Sequence, residues 1–271
     1  APVKKISQAL HSLFYAPHYF QAFCIMKNDV KNMNRAADNI RVLAASMVEK
    51  AKSGHPGGAM GGADFINVLY SEYLVYDPEN PFWDGRDRFF LDPGHMSTML
   101  YSTLAFTGKF TMDELAQFRQ WGSPTPGHPE RCVERGIENT SGPLGQGHTF
   151  AVGAAIAAKF LKARLGEVMS QRIYAYISDG GIQEEISQGS GRIAGTLGLD
   201  NLIMFYDSNR IQLSTETAAV DNEDVAAKYR AWNWNVIEID GNDVEQIRSA
   251  LDEALKVVGK PTLIIGDTVM G

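Results

Sequence analysis

The chain has 271 residues, 44% of them hydrophobic, so it can bury a core in one large domain or two small ones. Its formal net charge of −7 argues against a surface for nucleic acid or for anionic membranes, and no apolar stretch reaches the ~20 residues of a membrane span. Two cysteines, Cys24 and Cys132, exclude a disulfide framework and favour a reducing compartment such as the cytoplasm.

The first half of the chain is mostly helical by pattern. Residues 1–28 contain no acidic side chain and many aromatic ones, so residues 1–33 are interpreted as an atypical N-terminal extension without an assigned role. Apolar residues then recur at helical spacing from Asn34 onward and again over 63–74. The next predicted elements are a short strand and two helices, at 88–91, 96–106 and 112–120.

The second half alternates strictly between strands and helices. A long Gly- and Pro-rich loop, 122–147, leads into an Ala-rich helix at 150–165. The strands predicted beyond it are 172–178, 201–207, 235–240 and 261–266, and the helices are 182–197, 222–231 and 243–257. This alternation predicts an α/β fold, a doubly wound parallel sheet flanked by helices, whose ligands bind at the carboxyl ends of the strands. No clean boundary divides residues 34–271, which are interpreted as one domain.

Two polar residues come just after neighbouring predicted strands. Asp179 and Asn209 are separated by one β-α-β crossover, so their side chains are expected to meet at one edge of the sheet. Their carboxylate and amide oxygens, with the backbone carbonyl of Ile211, form a ligand set for Mg²⁺ (or Ca²⁺ or Mn²⁺), and the ion can hold a diphosphate. Gly180 and the helix after it suit close approach of a phosphate. The same pattern also fits a helix-capping Asp and a turn Asn.

Three histidines lie between turn-forming residues: His55, His95 and His128. Imidazoles donate hydrogen bonds to phosphate and hydroxyl oxygens and move protons near pH 7. A single loop histidine is most often a surface residue. No H-x-x-x-H or Cys/His spacing supports a zinc site.

The loop at 140–147, T-S-G-P-L-G-Q-G, is rich in glycine. Its glycines expose backbone amides and carbonyls, and Leu144 offers an apolar side chain. Such a loop suits a flat heterocycle, although an ordinary turn before a helix has the same composition.

Together these segments resemble the transketolase family of thiamine-diphosphate enzymes. The resemblance covers about Asn34 to Gly271 and rests on segments in family order: S-G-H-P-G-G-A-M-G, R-D-R-F-F-L-D-P-G-H, T-P-G-H-P-E, S-G-P-L-G-Q-G, and S-D-G-G-I-Q-E followed by Y-D-S-N-R-I. It implies the thiamine-diphosphate-binding fold. It also implies transfer of a two-carbon ketol unit between sugar phosphates, in the pentose phosphate pathway of the cytoplasm.

The resemblance assigns roles to individual residues. His55 and His128 would act on the substrate's hydroxyl groups as catalytic residues. Glu184 would lie near a dimer contact. The cofactor would be held by His95 and the Gly180 N–H at the diphosphate and by Gly142, Leu144 and Leu213 at the rings, with Asp179, Asn209 and the Ile211 carbonyl on the metal ion.

The chain departs from the family pattern at several positions. Ser178 replaces the usual first glycine of G-D-G, and no acid is present at Gln188-Gly189, which puts a carboxylate proton link between sites in doubt. His148 occupies a position that is usually apolar and is expected to line the same pocket.

The largest departure is length. The family's pyrimidine-binding and C-terminal domains are not found after Gly271, so the chain is expected to need a C-terminal transketolase domain or subunit and to form a homodimer. Two alternatives remain at this point. One is a cofactor-binding or assembly module without turnover. The other is a different thiamine enzyme, of the deoxyxylulose phosphate synthase or 2-oxo-acid dehydrogenase α type.

Overall fold

The computed structural model of the protein describes residues 27–212 and 215–270. Its strands are β1 Arg88–Leu91, β2 Ile173–Ser178, β3 Leu202–Ser208, β4 Ile211–Gln212, β5 Thr215–Glu216, β6 Asn235–Asp240 and β7 Thr262–Asp267. Five of them form a central parallel sheet in the order β1-β2-β3-β7-β6, and β4 and β5 form a separate antiparallel pair.

Ten α-helices surround the sheet in the described residues. They are α1 Val30–Ala51, α2 Gly57–Gly61, α3 Ala63–Val68, α4 Ser97–Phe106, α5 Met112–Leu115, α6 Gln146–Leu165, α7 Asp179–Gln183, α8 Glu185–Leu197, α9 Val225–Ala231 and α10 Val244–Ala254. None of these helices combines the length and apolar character that crossing a membrane requires.

Helices cover both faces of the sheet. On one face, α1, α3, α4 and α10 pack against alternate strand residues such as Tyr176 and Phe205. On the other face, α6, α8 and α9 pack against residues such as Ile177 and Met204. Because both faces are covered, every position of β2 is buried, which explains why that strand reads as a continuous apolar run. The predicted doubly wound parallel sheet is confirmed.

Three predicted helices differ from the structure. The helix predicted for 63–74 is α3 followed by a π-helical turn, Leu69–Tyr73. The helix predicted for 112–120 stops after Leu115. By Arg119 the chain has turned back, with φ at 60° and the N–H donating to the Thr125 carbonyl at 3.0 Å. The helix predicted for 182–197 is α7 and α8, which are separated by the extended backbone of Glu184.

The helix predicted to begin at Phe150 begins four residues earlier. Its cap comes from a distant part of the chain: the Asp92 carboxylate, just beyond β1, accepts from the N–H groups of Gly145 at 3.1 Å and His148 at 3.2 Å. A carboxylate that receives the first amides of a helix stabilises that helix start. No local residue pattern indicates such a cap.

A buried ion pair anchors the start of α1. The Arg248 guanidinium donates to both oxygens of Glu72, at 2.8 and 2.5 Å, and to the Asn28 carbonyl at 2.7 Å. The Asn28 N–H in turn donates to Glu72 at 2.9 Å. The two charged side chains are 3% and 0% exposed, so the backbone where α1 begins at Val30 is tied to α10 by a network with little access to water.

Candidate functional site

The structure brings Asp179 and Asn209 together at the carboxyl edge of the sheet. The residues that precede them, Ser178 and Asp207/Ser208, end the paired strands β2 and β3. The Asn209 N–H donates to Asp179 Oδ2 at 3.2 Å, and Asn209 Oδ1 accepts from the Ile211 N–H at 3.1 Å. All three predicted metal ligands therefore belong to one contiguous cluster.

The Asp179 carboxylate suits a cation. It is 2% exposed, and burial raises its pKa. Its partners are the Tyr206 hydroxyl at 2.5 Å and the Asn209 N–H, and no Lys or Arg of the described residues pairs with it. A buried carboxylate without a cationic partner is unfavourable, and a divalent ion bound beside it would supply the missing charge. The residues present thus fit the predicted ion.

Two buried residues close to this pair were not among the predicted site residues. Tyr206 lies on β3 and reaches Asp179. Asp207 is fully buried, accepts from the Tyr176 hydroxyl at 2.9 Å and from Thr268 Oγ1, and burial raises its pKa to about 6. Both residues belong to the run Y-D-S-N in the sequence, but only the strand register shows that Tyr206 faces Asp179.

The three loop histidines form one cluster. The rings of His55 and His95 lie 5.0 Å apart, edge to face. A Cβ placed on Gly94 would be 2.9 Å from His128 Cδ2, so His128 lies against the turn that carries His95. Burial, and to a smaller extent the neighbouring imidazoles and Arg119, lower the pKa of His95 to about 4. Burial and then Arg119 also lower the pKa values of His55 and His128, so all three rings are neutral near pH 7.

Arg119 is a further member of this cluster that the sequence did not single out. Its side chain donates to Ser53 Oγ at 2.7 Å, which places the guanidinium beside the turn that carries His55. A Cβ on Gly127 would lie 2.7 Å from Arg119 Nε, so the same side chain also contacts the turn before His128. Its charge is therefore fixed between two of the three histidine-bearing turns.

The glycine-rich loop lies between the histidine cluster and Asp179. Ser141 Oγ donates to the Asp92 carbonyl at 2.8 Å and holds the loop against the end of β1. A Cβ on Gly94 would lie 3.0 Å from the Gly142 N, and one on Gly180 would lie 3.0 Å from Leu144 Cδ1. The loop thus links the predicted ring-binding and diphosphate-binding residues. Leu213, also predicted at the ring, lies outside the described residues.

His148 does not line this pocket, contrary to expectation. The side chain is fully buried on α6, 6.3 Å from the Trp234 ring, and burial lowers its pKa to about 3. Neither ring nitrogen has a hydrogen-bond partner among the described residues. The first turn of α6 directs position 148 into the core rather than toward the cleft, which is why an apolar residue suits it. Glu184, which the resemblance places near a dimer contact, is exposed.

Comparisons with known proteins identify the family of this chain. Residues 32–271 match the family model described as transketolase, thiamine diphosphate binding domain. The chain belongs to the transketolase family. Transketolase 2 of Escherichia coli is 46% identical over 241 residues, which are 87% of this chain and 36% of that protein. Chloroplastic transketolase-1 of Arabidopsis thaliana is 44% identical over 251 residues, 90% of this chain and 34% of that protein.

Solved transketolase structures have the same fold. The transketolase of Leishmania mexicana superposes with a TM-score of 0.85 at 42% identity, over 87% of this chain and 36% of that one. That of Campylobacter jejuni gives 0.84 at 41% identity, over 89% of this chain and 38% of that one. The chain spans about a third of the length of the transketolases it matches, and the part it matches is the thiamine diphosphate binding domain.

Proposed function

We propose that this chain is the diphosphate-binding part of a transketolase, which transfers a two-carbon ketol unit from a ketose phosphate to an aldose phosphate. The observation that carries the proposal is the contact between Asp179 and Asn209 at the sheet edge of a transketolase-family chain. Since its relatives are about three times longer, the activity is assigned to this chain together with a C-terminal transketolase domain or subunit. We infer a cytoplasmic location from the low cysteine count. We infer a role in the pentose phosphate pathway from the sugar phosphate substrates.

The cofactor contacts are proposed as follows. Asp179, Asn209 and the Ile211 carbonyl hold Mg²⁺, an ion that prefers oxygen ligands. His95 and the Gly180 N–H hold the diphosphate, and Gly142, Leu144 and Leu213 border the rings. When bound, thiamine diphosphate supplies the electron sink that allows the carbon–carbon bond of the ketose to break.

His55 and His128 are proposed to act on the substrate's hydroxyl groups. Both imidazoles are exposed, whereas His95 is half-buried. Their pKa values are lowered by burial and by Arg119, so they are neutral near pH 7 and can accept a proton from a hydroxyl oxygen or share one with it. The fixed guanidinium of Arg119 adds positive charge where alkoxide character develops.

A second copy of the chain is the proposed partner of an apolar surface on α6 and α8. The two helices are joined by a hydrogen bond between Thr149 and Ser190 hydroxyls at 3.1 Å. The apolar surface consists of large side chains 47–54% exposed, namely Phe150, Phe160, Ile186, Ile193 and Leu197. A Cβ on Gly153 or Gly189, on the same surface, would meet nothing within 4 Å. Glycines inside helices cost stability, and here they leave room for close approach of another helix.

Metal-dependent cofactor binding tests the proposal. Thiamine diphosphate is titrated into the chain with and without Mg²⁺ by calorimetry, and binding is expected only with the ion. D179N is expected to weaken binding by about 100-fold or more, because it removes a charged metal ligand rather than a supporting hydrogen bond, whose loss typically costs 10–100-fold. D113N is the matched control, because Asp113 also lies in the first turn of a short helix but is exposed.

The activity is tested by adding a C-terminal transketolase fragment. We expect ketol transfer to appear on mixing and to be greatly reduced in H128A, whose thermal unfolding should match that of the unmodified chain. Equal affinity of D179N and D113N for the cofactor would refute the metal assignment. Cofactor binding without ketol transfer in any mixture would refute the activity.

A further inference from the structure

Tyr206 is the residue that orients the Asp179 carboxylate. It lies on β3, three residues before Asn209, and its hydroxyl donates to Asp179 Oδ1 at 2.5 Å. The Asn209 N–H donates to the other oxygen, Oδ2, at 3.2 Å. Each carboxylate oxygen thus has its own donor, and both donors come from β3 or the residue just beyond it. The orientation of the carboxylate is therefore set by the neighbouring strand rather than by its own helix.

Burial of a tyrosine does not by itself produce such a bond in this fold. Tyr174 on β2 is 1% exposed and Tyr229 on α9 is 0% exposed, and neither hydroxyl has a partner among the described residues. Tyr206 is 5% exposed, and its ring packs among the apolar residues between the sheet and α6, α8 and α9. A phenylalanine would fill that space equally well, so what the tyrosine adds is the hydroxyl at Asp179.

We propose that Tyr206 is a positioning residue for the metal-binding carboxylate of Asp179. The inference rests on the proposed function, since it takes Asp179 to be a metal ligand. The hydroxyl holds Oδ1 in place, so that the carboxylate is already oriented when a divalent ion arrives and loses less rotational freedom on binding it. Hydrogen bonds from outside the ligand set act in this way in other metal sites, and removing them typically weakens metal affinity 10–100-fold.

The test measures metal affinity directly. Mn²⁺ replaces Mg²⁺, and free Mn²⁺ is followed by its electron paramagnetic resonance signal in titrations of the full chain with saturating thiamine diphosphate. Y206F is compared with Y174F, which also removes one buried hydroxyl from a central strand but breaks no hydrogen bond to another described residue. Thermal unfolding of each variant is measured alongside. We expect a Kd for Mn²⁺ about 10–100-fold higher in Y206F and within about twofold of the unmodified chain in Y174F.

Any one of three other results would overturn the inference. Equal Mn²⁺ affinity in folded Y206F and in the unmodified chain would show that the hydroxyl does not position Asp179, while leaving the proposed function intact. Loss of the folded state in Y206F but not in Y174F would assign the hydroxyl to folding. Absence of Mn²⁺ binding by the unmodified chain would remove the metal assignment, and this inference with it.

Discussion

The buried imidazole of His148 makes the stability of this domain depend on pH in a way that one substitution removes. Burial lowers its pKa from 6.5 to about 3, so the folded state keeps the ring neutral while the unfolded chain takes up a proton. For a depressed pKa the stabilisation is present above pH 6.5 and is lost as the pH falls toward 3. The slope is about 1.4 kcal/mol per pH unit for one proton and applies over the roughly 1.5 units between pH 6.5 and pH 5, so going from pH 7 to pH 5 removes about 2 kcal/mol from the free energy of unfolding.

Urea unfolding of the unmodified chain and of H148L at pH 7 and pH 5 measures this loss. The leucine does not titrate, so H148L should lose about 2 kcal/mol less than the unmodified chain between the two pH values. S187A is the control, because Ser187 Oγ is also buried without a partner among the described residues but does not titrate. Its effect on stability should be the same at both pH values. An equal pH dependence for H148L and the unmodified chain would refute the reasoning.

Two further predictions concern the N-terminal anchor and the apolar surface. R248M should lower the free energy of unfolding by about 3–5 kcal/mol, because it leaves the fully buried Glu72 carboxylate unpaired; R230M, which breaks an exposed pair with Glu238, should lower it by less than about 1 kcal/mol. F160E should weaken self-association by about tenfold or more in sedimentation experiments, since a charge would be buried between copies. F82E alters a side chain that is 63% exposed elsewhere and should leave association unchanged; equal association of the two variants would contradict the α6–α8 interface.

The strands were predictable because the chain buries both faces of its sheet. Each central strand is a run of apolar residues that ends at a polar one, such as Asp179 after β2, and the predicted ends of the five parallel strands all lie within one residue of the observed ends. The meeting of Asp179 and Asn209 followed from parallel topology alone, since neighbouring parallel strands end at the same edge. Turn composition likewise indicated His55, His95 and His128, which the fold gathers into one cluster.

What the sequence did not reveal depends on contacts between distant segments. Asp92 caps α6 across more than fifty residues, so the helix start could not be read from local residues. The role of Tyr206 requires the strand register, because adjacent β3 residues face opposite sides of the sheet. His148 was wrongly expected in the pocket because a polar residue near a glycine-rich loop gives no sign of which face of the helix it occupies. The position of Arg119 depends on its left-handed backbone conformation.

The three buried carboxylates at the carboxyl edge each have two protein donors but differ in their access to solvent, and this difference favours Asp179 as the proposed metal ligand. Burial raises the pKa of each one. Asp92 receives two amides at the start of a helix, and Asp207 receives two hydroxyls from opposite sides, so both are enclosed by protein donors. Asp179 has one hydroxyl and one amide, and its neighbours Gly180 and Asn209 are partly exposed. Asp179 therefore has as many protein donors as the other two, but it is the one of the three that keeps some exposure, 2% against 0%, so an ion can approach it from solvent beside the proposed diphosphate site.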